Sequence, residues 1–136
     1  MARILVIDDD RVFATLVAEA LTSAGHRVDV AADGRQGLVA VRSAQFDAVV
    51  TDIIMPDQEG IETIRLIRRA EPDLPILAMS GGGLRLSLDL LQMARAIGAD
   101  DTLAKPFLPG ELVRRVAALL TRRNGRLAAA AGVVRH

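Results

Sequence analysis

The chain has 136 residues, no Cys, Trp or Tyr, and 17 basic against 17 acidic residues. That length is one domain, the 51% apolar content excludes a disordered chain, and the missing cysteines exclude disulfides, thiolate metal sites and a cysteine nucleophile. Neutral charge and three aromatic residues, all Phe, count against nucleic-acid binding, which draws on positive surface and stacking rings.

No apolar run approaches the roughly 18 residues of a membrane helix, and the start of the chain lacks the pattern of a signal peptide. A soluble cytoplasmic protein is expected. Two histidines, His26 and His136, are too few for a His-rich metal centre. The neutral total hides an asymmetry. Residues 1–60 carry five Arg against ten acids, and residues 61–136 carry twelve basic residues against seven acids. Sixteen of the basic residues are Arg, and Lys105 is the single lysine.

In chain order, Ile4–Ile7 is the first of five short apolar runs. Val28–Ala31, Ala48–Val50, Ile76–Met79 and Leu103–Ala104 follow. Helical periodicity fills the intervals: Phe13, Leu16, Val17, Ala20 and Leu21; then Ile61, Ile64 and Leu66/Ile67; last Leu112, Val113, Val116, Ala117 and Leu120. Asp10, Asp33 and Asp57/Glu59 signal helix starts; Gly25, Gly98 and Glu71-Pro72 signal stops. The alternation predicts an α/β, doubly wound (βα)5 fold around a five-stranded parallel sheet. The first, third and fourth runs are continuously apolar, as in strands covered on both faces. The second alternates like an edge strand, and the fifth is short. This suits strand order 2-1-3-4-5.

The fourth helix carries two apolar sides, Leu84, Leu88 and Leu91 on one and Leu86, Leu90, Met93 and Ile97 on another. A second stripe predicts a partner surface. The Arg pairs 68/69, 114/115 and 122/123 read as solvated helix faces, and His26 as an exposed turn residue. After Leu120 the segment Thr121–Arg126 is polar and basic with an Asn-Gly breaker, and 127–134 is small and apolar. The expected organisation is one domain over 1–121 and a tail over 122–136, with no second domain.

Ligands of such sheets bind outside the carboxyl ends of the strands. Those ends carry Asp8-Asp9-Asp10, Asp52, Ser80-Gly81-Gly82-Gly83 and Lys105-Pro106. Three close carboxylates repel unless a hard divalent cation joins them or their pKa rises. Mg²⁺ suits such oxygens and accepts phosphate as well. A carboxylate can also act as a nucleophile and form an aspartyl phosphate. Lys105 would neutralise phosphoryl charge and Ser80 would donate a hydrogen bond to it.

Four stretches carry a resemblance: Ile4–Asp10, Asp52–Gly60, Ala78–Gly81 and Gly98–Phe107. In this order and on these strand ends, the sequence resembles a response-regulator receiver domain of two-component signalling, over nearly all of residues 2–121. The resemblance implies that Asp52 is the phosphoacceptor, Asp9 a direct Mg²⁺ ligand, and Asp8 a ligand largely through water. The backbone carbonyl of Ile54 would be a third protein ligand. Ser80 matches the switch hydroxyl and Lys105 the phosphate-pairing lysine, with a cis bond to Pro106. Asp10 lies one position past the acidic pair and reads as a helix cap.

The implied donor is a histidine kinase or a histidine phosphotransfer protein. The fourth helix, fifth strand and fifth helix would hold a second copy or an effector. The domain would catalyse its own phosphorylation and dephosphorylation, with signalling rather than turnover as its purpose. One position departs from the pattern: receivers usually carry Tyr or Phe three residues before the lysine, and here it is Thr102. Two other readings stand beside this one. The chain could be the N-terminal receiver of a longer, for example DNA-binding, regulator. It could also be an aspartyl-phosphate phosphatase of the haloacid-dehalogenase type, which places a second acid where this chain has Ile54.

Overall fold

The computed structural model describes residues 1–54, 60–81 and 84–130, without the side chains of 84–87, 128 and 130. Five strands are described: β1 (Arg3–Ile7), β2 (Arg27–Ala31), β3 (Ala48–Asp52), β4 (Ile76–Ser80) and β5 (Asp101–Ala104). Five helices alternate with them: α1 (Arg11–Ser23), α2 (Gly34–Ser43), α3 (Gly60–Ala70), α4 (Leu84–Ile97) and α5 (Pro109–Ala130). All pairings are parallel, and the order is β2-β1-β3-β4-β5, as the patterning predicts.

Alternation along each strand splits the core in two. Ile4 and Val6 of β1 join Ala14, Val17 and Leu21 of α1 and Leu112, Val116 and Leu119 of α5 on one side of the sheet. Leu5 and Ile7 join Val41, Ile64, Ile67, Leu91 and Ala94 on the other. Successive residues of a strand face opposite ways, so an unbroken apolar run serves both halves. Within the helices the expected stripes shift slightly: Leu16 is 58% exposed and Ala117 is exposed, whereas Leu119 is buried.

Asp10 and Asp33 cap α1 and α2, accepting from the backbone N–H of Phe13 at 3.1 Å and of Gln36 at 2.8 Å. Such caps contribute about 1 kcal/mol each. Asp57 and Glu59 lie outside the described residues. Helix α4 stops at Gly98, whose φ of 148° suits a residue without a side chain. At the start of α3, a Cβ on Gly60 would run into the backbone of Ile53. This glycine lets the helix close against the end of β3.

Several expectations are corrected. One member of each Arg pair is a structural clamp instead of a solvated residue. Arg68 donates to the carbonyls of Pro72, Leu74 and Gly98 and pairs with Asp100 at 2.7 Å. Arg115 donates to the carbonyl of Thr102 and pairs with Asp101. Arg123 donates to the carbonyl of Phe46 at 2.7 Å. His26 is half-buried, and its Nδ1 accepts from the N–H of Ala2.

The Asn-Gly step does not break the chain: α5 runs through Asn124-Gly125 to Ala130. The hydrogen bond of Arg123 fixes that continuation to the loop before β3, and glycine within a helix costs only about 1 kcal/mol. The two expected sides of α4 do not separate core from surface. Leu91 and Ala94 are buried with Leu90 and Ile97 packed beside them, while Leu88 and Met93 are half-exposed. Leu84 and Leu86 have no described side chains, and 131–136 lie outside the described residues.

Candidate functional site

The carboxyl edge of the sheet gathers the polar residues that the sequence singles out. The pairing of β1 with β3 sets Ile7 beside Thr51, so the residues after Ile7 emerge next to Asp52. Asp52 pairs with Met79 of β4, and Ser80 with Ala104 of β5, which brings Ser80 and Lys105 to the same edge. Asp8 and Asp52 are buried, and Asp9 is exposed.

Asp8, Asp9 and Asp52 each offer a carboxylate oxygen within 4.8 Å of the others. The three hard oxygen donors, one of them open to solvent, fit a divalent cation such as Mg²⁺. Lys105 Nζ lies 3.3 Å from Asp8 Oδ2 and 3.6 Å from Asp52 Oδ2. Three acids against one ammonium leave the cluster short of positive charge.

Burial pushes the Asp52 carboxyl above the ordinary carboxylate range; Lys105 pulls it back and Asp8 adds to the rise. The Asp8 carboxyl is raised for the same first reason, burial, against the N–H of Asp10 and the charge of Lys105. Backbone donors orient both groups. The N–H of Asp10 donates to Asp8 at 3.0 Å and that of Ile54 to Asp52 at 3.3 Å. Ile54 is 41% exposed, at the mouth of the site.

Ser80 is fully buried, and its hydroxyl donates to the carbonyl of Gly81 at 3.4 Å. Gly82 and Gly83 lie outside the described residues. Lys105-Pro106 is cis, as the resemblance implies. Thr102 is half-buried on β5, with its N–H donating to Asp101 and its carbonyl accepting from Arg115.

Two residues of the site escape sequence reasoning. Thr51 is buried and donates to the carbonyl of Asp52 at 3.0 Å. The ring of Phe13 lies 3.9 Å from Lys105 Nζ. Phe13 reads as an ordinary member of the α1 stripe. Its place in the first turn of α1, just after the acidic strand end, is the one available signal.

A buried carboxylate with a lysine and metal-binding oxygens beside it can receive and hold a phosphoryl group. Comparison with known proteins points the same way. The family model described as response regulator receiver domain matches residues 4–117. Response regulator MprA of Mycolicibacterium vanbaalenii is 42% identical over 120 residues, covering 88% of this chain and 51% of that protein. Transcriptional regulatory protein QseB of Haemophilus influenzae is 38% identical, covering 90% and 54%. The chain thus spans about half the length of the curated relatives it matches. The crystal structure of a CheY-like receiver domain protein from Methanospirillum hungatei superposes with a TM-score of 0.86 at 26% identity, over 93% of this chain and 98% of that one.

Proposed function

The chain belongs to the response regulator receiver domain family, and from that premise we propose that Asp52 accepts a phosphoryl group from phosphohistidine and that the modified state carries a signal. The observation that carries this is the position of Lys105 Nζ, within 3.6 Å of both Asp8 and Asp52. The donor is a histidine kinase or a histidine phosphotransfer protein. An Asp52 oxygen bonds to phosphorus as the phosphorus–nitrogen bond of phosphohistidine breaks. The electron pair stays on the imidazole nitrogen, which takes a proton from solvent.

Asp8, Asp9, Asp52 and the backbone carbonyl of Ile54 would hold Mg²⁺. When bound, it neutralises charge on the phosphoryl oxygens. Lys105 pairs with the new phosphoryl oxygens, and the Ser80 hydroxyl turns to donate to one of them. The added charge and acceptor oxygens bias a two-state equilibrium. The domain promotes its own phosphorylation and hydrolysis and turns over no other substrate. Half-exposed Leu88 and Met93 of α4, beside the charged Arg95, Asp101 and Arg115, support a second copy or an effector docking on α4, β5 and α5. Leu88→Glu is expected to weaken that association.

The match to half of a transcriptional regulatory protein favours a second reading of the whole molecule, as the receiver part of a longer regulator. The genomic reading frame across codon 136 decides between the two. The phosphoryl-accepting role itself is tested with a phosphohistidine donor and radiolabelled phosphate. Wild type is expected to take up label, and Asp52→Ala none. Equal labelling of both would overturn the assignment.

A further inference from the structure

Two of the three aromatic rings meet beside the acidic cluster. Lys105 Nζ is 3.9 Å from the centre of the Phe13 ring, and also 3.3 Å from Asp8 Oδ2 and 3.6 Å from Asp52 Oδ2. The ammonium is shared between two carboxylates and the negative face of a ring. Phe13 meets Phe107 edge-on, with centroids 5.6 Å apart and planes at 80°. Both rings, with Leu16, Ala20, Pro109 and Leu112, line an apolar groove of about 310 Å³ between α1 and α5.

We propose that the state of Asp52 is read out at this groove, through Lys105, Phe13 and Phe107. The proposal rests on Asp52 accepting a phosphoryl group. That group adds negative charge on the carboxylate side of Lys105 and draws the ammonium away from the ring. One cation cannot sit closest to both. Released from the cation, the Phe13 ring changes its tilt, and Phe107 follows because the two rings pack edge to face. Phe107 lies two residues before α5, so the change reaches the first turn of that helix and the wall of the groove. Phe46, the third ring, lies before β3 at the opposite edge of the sheet, with Arg3 4.8 Å from its centre. It takes no part and serves as an internal control.

The test uses protein with ring-labelled phenylalanine, observed by NMR before and after acetyl phosphate with Mg²⁺. Mass spectrometry follows the gain of one phosphoryl group in the same samples. The resonances of Phe13 and Phe107 are expected to shift while Phe46 stays in place. Compared at equal phosphoryl content, as read by mass spectrometry, Phe13→Leu should lack the Phe107 shift, and Phe13→Tyr, which keeps a ring, should retain it. A phosphorylated wild type with unmoved Phe13 and Phe107, or a Phe107 shift that survives in Phe13→Leu, would overturn the read-out. A wild type that gains no phosphoryl group would instead overturn the phosphoryl-accepting role, and the read-out with it.

Discussion

Lys105 faces two buried carboxylates whose charge is costly to keep out of water, and this cost sets the behaviour of single residues. The Asp8 and Asp52 carboxyls are raised by burial. A carboxyl raised in the folded state penalises folding above its folded pKa, and the penalty fades as pH falls through that value towards the unfolded one. Without divalent metal, Asp52→Asn is therefore expected to raise the melting temperature near neutral pH. Thermal unfolding across a pH series should show the gain shrinking on acidification. Lys105→Ala is expected to keep the fold while abolishing phosphorylation-linked changes in NMR spectra. That Asp8, Asp9, Asp52, Ser80 and Lys105 gather at one edge of the sheet is legible in the sequence, because the carboxyl ends of parallel strands share that edge. The place of Phe13 is not, since helical spacing makes it look like core. Thr102 is legible as a departure only, because its neighbours lie on other elements.

Among the elements, the five strands follow the apolar pattern closely and the helix ends depart from it. Apolar runs identify a strand locally, whereas the clamps that extend or anchor a helix depend on distant partners. Arg123 reaches a carbonyl 77 residues away in sequence, and Arg68 one 30 away. No local pattern marks such an arginine, and an Asn-Gly step taken alone reads as a break. Removing the Arg123 clamp leaves the Phe46 carbonyl without that donor, a loss of about 1 kcal/mol. Arg123→Ala is expected to speed hydrogen exchange over 122–130 while the sheet keeps its protection. Gly60 acts in the same way at the start of α3. A methyl there meets the Ile53 backbone, so Gly60→Ala is expected to cost about 1–3 kcal/mol in urea unfolding.

For the molecule as a whole, the parallel sheet converts separate strand ends into one site. The acidic first sixty residues supply the oxygen cluster. The basic remainder supplies Lys105 and the arginine clamps on α3 and α5. A cation that binds only the folded state stabilises the entire domain, by about 2.7 kcal/mol at a hundred times its Kd. Mg²⁺ is expected to raise the melting temperature of wild type and to have little effect on Asp9→Ala. The most direct measurement of the central claim is peptide mapping by mass spectrometry after acetyl phosphate with Mg²⁺. The account predicts one phosphoryl group, on the peptide and residue of Asp52, and none in Asp52→Asn. A phosphoryl group on another residue, or equal incorporation by the variant, would contradict it.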